Sequence, residues 1–181
     1  MLKKDFTGEN SPQADIKIRP MEKNDADAMI GMTGIAAGQN IAALRAQYRT
    51  RTKNSFVASD AGGKIIGFIV GERHAKEFPN GIGITNLVVD PRQNNAGECM
   101  NCLVRTMALH CLNQGQHSMD LVVFNNDQQN LEICNQYAAR KCGSHKGTGT
   151  DGREFIADFY TIDDLSGKFG PARPSGPNPK P

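Results

Sequence analysis

Residues 84–103 read ITNLVVDPRQNNAGECMNCL, and the whole chain is most easily understood outward from them. The stretch opens on an apolar, β-branched run that ends at Val89. Asp90-Pro91 follows, and a proline is rejected by a strand interior. Residues 92–97 carry no apolar period and read as a loop. Beyond them Met100, Leu103, Val104, Met107, Ala108, Cys111 and Leu112 recur at the spacing of a buried helical stripe, which Gly115 ends. A strand that enters a helix through a glycine-containing loop gathers unpartnered backbone N–H groups at the positive end of the helix dipole. That arrangement suits a phosphate or pyrophosphate, and Gly97 would let such a group approach the backbone closely. The loop has neither GxxxxGK[ST] nor GxGxxG, so a plain strand-to-helix turn stays open as the other reading.

Strand and helix signals alternate on both sides. Upstream, residues 16–18 form a short alternating strand that stops at Pro20. Asp25 offers an N-cap for a helix reaching about residue 37, and a second helix spans about residues 40–53. Residues 55–59 and 64–70 are β-type runs joined by Asp60-Ala-Gly-Gly63, a hairpin signal. Residues 82–89 supply the strand already described. Downstream come a strand over 119–124, a helix over 130–142 stopped by Gly143, and a closing hairpin over 144–161 that turns near Gly149 and Gly152. Two early helices, a hairpin and then strand-helix-strand-helix predict a mixed α/β sheet.

Composition narrows the classes. The 181 residues are 38% hydrophobic and 22% charged, with a formal net charge of +2, too little to argue for nucleic acid or an anionic membrane as the main partner. No apolar run is long enough to span a bilayer. Lys3 and Lys4 are followed by no apolar h-region, and the five cysteines are an odd number, so a reducing cytoplasm with free thiols is expected. Residues 1–14 read as a flexible lead-in, 15–164 as one folded domain, and 165–181, rich in Pro and Gly, as a disordered tail.

In the strand Leu87-Val88-Val89-Asp90-Pro91, the loop positions Asn94, Gly97 and Cys99, and the order of elements over residues 15–164, the sequence resembles the GCN5-related N-acetyltransferase (GNAT) superfamily. The family pattern is an apolar strand and then Arg/Gln-x-x-Gly-x-Gly/Ala at a helix start. Gly97 matches its central glycine, while Asn94 stands for the Arg or Gln and Cys99 for the small residue. The glycine of Lys64-Ile-Ile-Gly67 in the third strand is also common in the family. The resemblance implies an α/β fold with a mixed, mostly antiparallel sheet of six to seven strands flanked by about four helices. It implies acetyl-CoA as cosubstrate, a primary amine as acceptor, and homodimers through the C-terminal strands as one assembly. Leu87, Val88 and Val89 would meet pantetheine through their backbones. Asn94, Asn95, Ala96, Gly97, Glu98 and Cys99 would hold the pyrophosphate by amide N–H groups. Asn126 and Asn130, with Asn125, compete for a further pantetheine contact.

Direct acetyl transfer needs loss of an amine proton, polarisation of the thioester carbonyl and protonation of the departing thiolate. By resemblance, the Val88 N–H would stabilise the oxyanion and Tyr137 would be the general acid. Counting back from Gly143 places Ala139 rather than Tyr137 at the family's tyrosine position, so two registers stay open. Residues 84–86, Ile-Thr-Asn, lack the fourth-strand Glu that several members carry, which leaves Glu72, directly or through water, and His74 as candidate bases, with a bulk-water relay without a dedicated base as the third reading. A non-catalytic acyl-CoA sensor or interaction module is the alternative. Cys99-x-x-Cys102 has no second knuckle for zinc, so no metal is expected. At a helix start, Cys99 would have a lowered pKa and would be reactive. Arg45, Arg49, Arg51 and Lys53 would favour an anionic acceptor, whereas Asp25 and Asp27 would favour a cationic one.

Overall fold

A computed structural model describes residues 15–33, 41–73, 81–125, 127–149 and 152–170. The elements are β1 (Lys17–Pro20), α1 (Ala26–Met32), α2 (Ile41–Thr50), β2 (Ser55–Ser59), β3 (Ile65–Glu72), β4 (Ile82–Val89) and α3 (Ala96–Asn113). They continue through β5 (Met119–Phe124), α4 (Gln128–Gln136), β6 (Arg140–Thr148), β7 (Glu154–Ile162) and α5 (Leu165–Phe169). The strands form one seven-stranded sheet in the order β1-β2-β3-β4-β5-β7-β6. Every neighbouring pair is antiparallel except β4–β5, which is parallel. The mixed, mostly antiparallel sheet is therefore as expected, with five helices rather than about four.

Two apolar layers follow from strand alternation. The stripe of α3 is fully buried at Leu103, Val104 and Met107, each at 0% exposure, against Ile69, Ile84, Leu87 and Leu121. Burying each such side chain contributes about 1.5–3 kcal/mol. On the opposite face Met29 and Ile30 of α1 and Tyr48 of α2 close over Val57, Phe68 and Val70, with Tyr48 and Phe68 edge-to-face at 5.9 Å. Asp25 holds the N-cap position of α1, as expected, but its side chain makes no cap hydrogen bond to that helix. Its carboxylate accepts from the Glu22 N–H at 2.7 Å and takes a bidentate pair from Arg19 at 2.7 Å and 2.7 Å.

Three helix boundaries differ from the sequence reading, the first being α1, which ends at Met32 with Thr33 as its C-cap rather than near residue 37. The fourth helix stops at Gln136, six residues before Cys142, because the chain turns there on Ala138, which adopts φ 48°. The Ala139 N–H reaches the Cys134 carbonyl at 2.8 Å and the Ala138 N–H the Asn135 carbonyl at 3.1 Å, closing a Schellman motif without its usual glycine. Gly143 instead lies in β6. The expected tail begins too early as well: α5 follows Asp164 directly, and its Leu165 and Phe169 are buried against α3 and α4. Two apolar anchors four residues apart dock the segment, helped by the Leu165 N–H donating to the His117 carbonyl at 3.0 Å and the Asp164 cap on Gly167 at 3.1 Å.

Candidate functional site

The parallel pairing of β4 with β5 is short. It runs through Ile82–Met119, Gly83–Asp120 and Ile84–Leu121 and then stops, while β4 continues to Val89 and β5 to Phe124. The cause lies on the other side of β4. Val70 faces Asn86 but Gly71 faces Ile84, so Thr85 is an extra residue with none opposite it in the β3 register. A bulge of this kind bends its strand and increases its twist. The two strands diverge from that point and leave a V between them.

Backbone direction along β4 decides what lines the V. The Asp90 N–H donates to the Ile66 carbonyl at 2.9 Å. Polar groups alternate from edge to edge along an antiparallel strand, so Asn86 and Val88 also spend theirs on β3. Leu87 and Val89 point into the V. The Leu87 carbonyl accepts from Asn130 Nδ2 of α4 at 3.4 Å, as that alternation requires. The oxyanion role expected of Val88 does not fit this register, because its N–H faces β3; the open groups belong to the residues on either side. Asn130 is 6% exposed, and its Oδ1 has no hydrogen-bond partner among the described residues. A buried, unpaired amide oxygen costs about 1–3 kcal/mol unless a bound donor satisfies it. Its Nδ2 also donates to Asp127 Oδ2 at 2.6 Å, and Asp127 Oδ1 caps the Asn130 N–H at 3.2 Å, so the side chain is held in place.

At the mouth of the V, α3 starts after a locked turn. Asp90 accepts from the Arg92 N–H at 3.1 Å and from its guanidinium at 2.9 Å and 2.8 Å, which brings the Asp90 carboxyl down to about 2. The Ala96 N–H is taken by the Gln93 carbonyl and the Cys99 N–H by the Asn95 carbonyl. The Gly97 and Glu98 amides are left with no partner among the described residues, and Asn95 makes no side-chain cap. A Cβ built on Gly97 would meet nothing within 4 Å, so packing does not demand the glycine. A cleft of about 140 Å³ lies alongside, with Gly97, Met100 and Asn101 on one wall and Gln129, Ile133 and Gln136 on the other. Asn94 and Glu98 are exposed at its edge.

No family model matches the sequence, and no curated protein matches it. Solved structures do match its fold. The ribosomal-protein-S18-alanine N-acetyltransferase of Escherichia coli is 15% identical, with a TM-score of 0.63 over 88% of this chain and 97% of that one. Diaminobutyrate acetyltransferase EctA of Paenibacillus lautus, solved with L-2,4-diaminobutyric acid and coenzyme A, is 15% identical with a TM-score of 0.63, covering 84% and 96%. The yncA protein of Salmonella typhimurium, solved with its cofactor acetyl-CoA, is 16% identical with a TM-score of 0.63, covering 82% and 94%. The chain has the GNAT fold.

Within the GNAT fold, Cys99 departs from the expectation set for it. Its side chain is 0% exposed, packed so closely that a Cβ on Gly67 would lie 3.2 Å from its sulfur. Burial pushes the thiol up to about 12, against the direction a helix N-terminus favours. With its N–H also spent on Asn95, Cys99 is neither a reactive thiol nor part of the anion-facing backbone. Among the described residues no group of three His, Cys, Asp or Glu side chains is placed to hold a metal.

The side chains proposed for chemistry are spread over both layers. Tyr137 is the C-cap of α4; its ring lies 4.8 Å from Phe169, and its hydroxyl donates to Asn101 Oδ1 at 3.2 Å, in the wall of the cleft. Burial raises its pKa. Ala139, the competing register, lies beyond the helix. Glu72 is on the opposite face, at the end of β3, paired with Arg51. His74 and Asn126 lie outside the described residues, and Asn125 instead accepts from the Ile156 N–H at 3.0 Å. Several charges near α1 and α2 are paired: Arg45 with Asp27 at 2.5 Å, Arg19 with Asp25 at 2.7 Å, and Arg51 with Glu72. Arg45 and Arg51 of the expected basic cluster, and both Asp25 and Asp27, are thus engaged in ion pairs. Sequence reading passed over Asp120, in β5 one position before the V opens, because strand pairing alone brings it there.

Proposed function

We propose that this chain is an acetyl-CoA-dependent N-acetyltransferase acting on a primary amine. The observation that carries the reading is the buried, unpartnered Asn130 Oδ1 beside the outward-facing Leu87 and Val89 backbone, where the sheet has opened. An extended amide-bearing arm fits such a slot: its N–H groups would satisfy Asn130 Oδ1 and the strand carbonyls, and its carbonyls the strand N–H groups. The Gly97 and Glu98 amides and the dipole of α3 would hold the pyrophosphate. Asn94, Asn95 and Ala96 would contribute shape rather than charge. Acetyl-CoA supplies the activated acyl group, as a thioester.

The chain's own groups would do the rest. The Leu87 N–H, at the bulged end of the V, is the proposed donor to the developing oxyanion; a preorganised backbone donor contributes about 2.7–4 kcal/mol in such a role. Tyr137 is the proposed proton donor to the departing sulfur, held at the cleft wall through Asn101. One observation favours the sensor alternative: Glu72 is engaged by Arg51, and the sequence offers no fourth-strand carboxylate.

Calorimetry and thermal shift with acetyl-CoA test the first half of the proposal, since a ligand that binds only the native state must stabilise it. Thiol release with 1,4-diaminobutane, L-2,4-diaminobutyrate and an alanine-headed peptide tests the second. Binding without any thiol release would leave the sensor; no binding would overturn both.

A further inference from the structure

Pairing across the sheet sets Glu72 of β3 opposite Gly83 of β4, Gly83 opposite Asp120 of β5, and Asp120 opposite Thr161 of β7. Met119, Leu121 and Val123 belong to the α3 layer, so alternation turns Asp120 to the other face, where Phe68 and Val70 meet α1 and α2. Glu72 shares that face, because the intervening Gly71 is directed at Met107 of α3. Gly81 and Gly83 stand on the same side of β4 and bear no side chains. Between Asp120 and Glu72, about 10 Å apart at Cα, β4 therefore offers bare backbone. Asp120 is one residue, about 3.3 Å of strand, from Ile84–Leu121, the last pair before the V.

The two carboxylates have different neighbours. Glu72 has a guanidinium beside it, from Arg51. Asp120 bonds a neutral hydroxyl, Thr161 Oγ1, at 2.5 Å, and its Oδ2 lies 3.8 Å from a Cβ built on Gly81. Burial raises its pKa, Asp163 adds to that, and the Thr161 bond and Arg140 of β6 oppose it; Cys111 of α3 lies close behind β5. A carboxylate whose pKa is raised is better matched to proton removal, and Asp120 meets a hydroxyl where Glu72 meets a guanidinium.

We propose that Asp120 is the general base for the acceptor amine. The role rests on the transferase reading above and supplies the carboxylate that β4 lacks. Asp120 takes one proton from the ammonium. The freed amine pair forms the C–N bond to the acyl carbon, and the C–S bond breaks with its electron pair on sulfur. Sulfur takes a proton from Tyr137, which is restored by the second amine proton through water. Asp120 releases its proton to solvent, and the products are the amide, the free thiol and one proton.

The test compares the full-length chain with Asp120→Asn and Thr161→Val on the three amines named above. For Asp120→Asn, acetyl-CoA affinity should stay within twofold while kcat falls about 10²–10⁴-fold, and the rise of kcat/KM with pH should disappear. Thr161→Val removes a bond that lowers the Asp120 pKa, so that rise should move to higher pH. Turnover within threefold of wild type in Asp120→Asn, with the pH profile unchanged, overturns the assignment. Should Asp120→Asn fail to fold, an unmoved profile in Thr161→Val overturns it. Wild-type protein that binds no acetyl-CoA and releases no thiol overturns the transferase reading itself, a result separable from active enzyme indifferent to Asp120.

Discussion

Asn130 of α4 reaches across the opened sheet to the Leu87 carbonyl of β4, 43 residues earlier in the chain, and leaves its own amide oxygen buried with no partner among the described residues. One side chain thus ties the helix after β5 to the edge of β4 and offers an acceptor to whatever enters between them.

Replacing that side chain separates binding from folding. Asn130→Ala removes both the link and the orphaned oxygen, so acetyl-CoA affinity should fall about tenfold, near 1.4 kcal/mol. Loss of the buried unpaired acceptor offsets part of the stability cost, and the melting temperature should move by only a few degrees. Calorimetry and thermal melts read the two effects independently, and an unchanged Kd contradicts the placement of the arm.

Gly97→Glu addresses the pyrophosphate end. A Cβ there meets nothing within 4 Å, so the fold should accept the change with a melting temperature within about 2 °C of wild type. The added carboxylate stands where two helix N-terminal amides face outward and should abolish detectable binding of acetyl-CoA. Equal affinity in the variant places the phosphates elsewhere.

Asp90 makes the turn acid-sensitive. Its folded-state pKa is depressed to about 2 by the Arg92 hydrogen bonds, below the ordinary carboxylate value of 3.8. The stability it contributes is therefore complete above about pH 4 and is lost as pH falls through the folded value near 2. Wild type should lose its melting-temperature advantage over Asp90→Asn between pH 4 and 2. A constant difference over that range excludes Asp90 as the titrating group.

Ala138 is a stability gain in waiting. It occupies the left-handed position of the Schellman motif after α4, φ 48°, at a cost of about 1 kcal/mol relative to glycine. Ala138→Gly should raise the melting temperature by about 2–4 °C without altering acetyl-CoA affinity. A decrease instead means that the alanine methyl is packed favourably enough to outweigh the backbone strain.

Local signals carried a long way in this chain. The period of α3 from Met100 to Cys111, the β-branched run ending at Val89 and the Asp60–Gly63 hairpin are all nearest-neighbour or one-turn patterns, legible without tertiary contacts. The end of α4 departs from its sequence pattern because Ala138 takes the left-handed position where a glycine is expected. Helix α5 is invisible to composition, which counts Pro and Gly but not the two side chains, Leu165 and Phe169, that dock it.

The sequence by itself determined the order of elements from β1 to β7, the strand-loop-helix at residues 84–103 and the glycine-bearing start of α3, because these depend on short-range periodicity and turn chemistry. Tertiary structure alone decided the bulge at Thr85, the opening between β4 and β5, which β4 residues face it, and the alignment of Glu72, Gly83, Asp120 and Thr161. Register is a relation between strands far apart in the chain, and a one-residue slip exchanges every edge and face. That is why Val88, adjacent to the right residues in sequence, faces β3, and why Asp120, unremarked in its own strand, stands at the apex of the V.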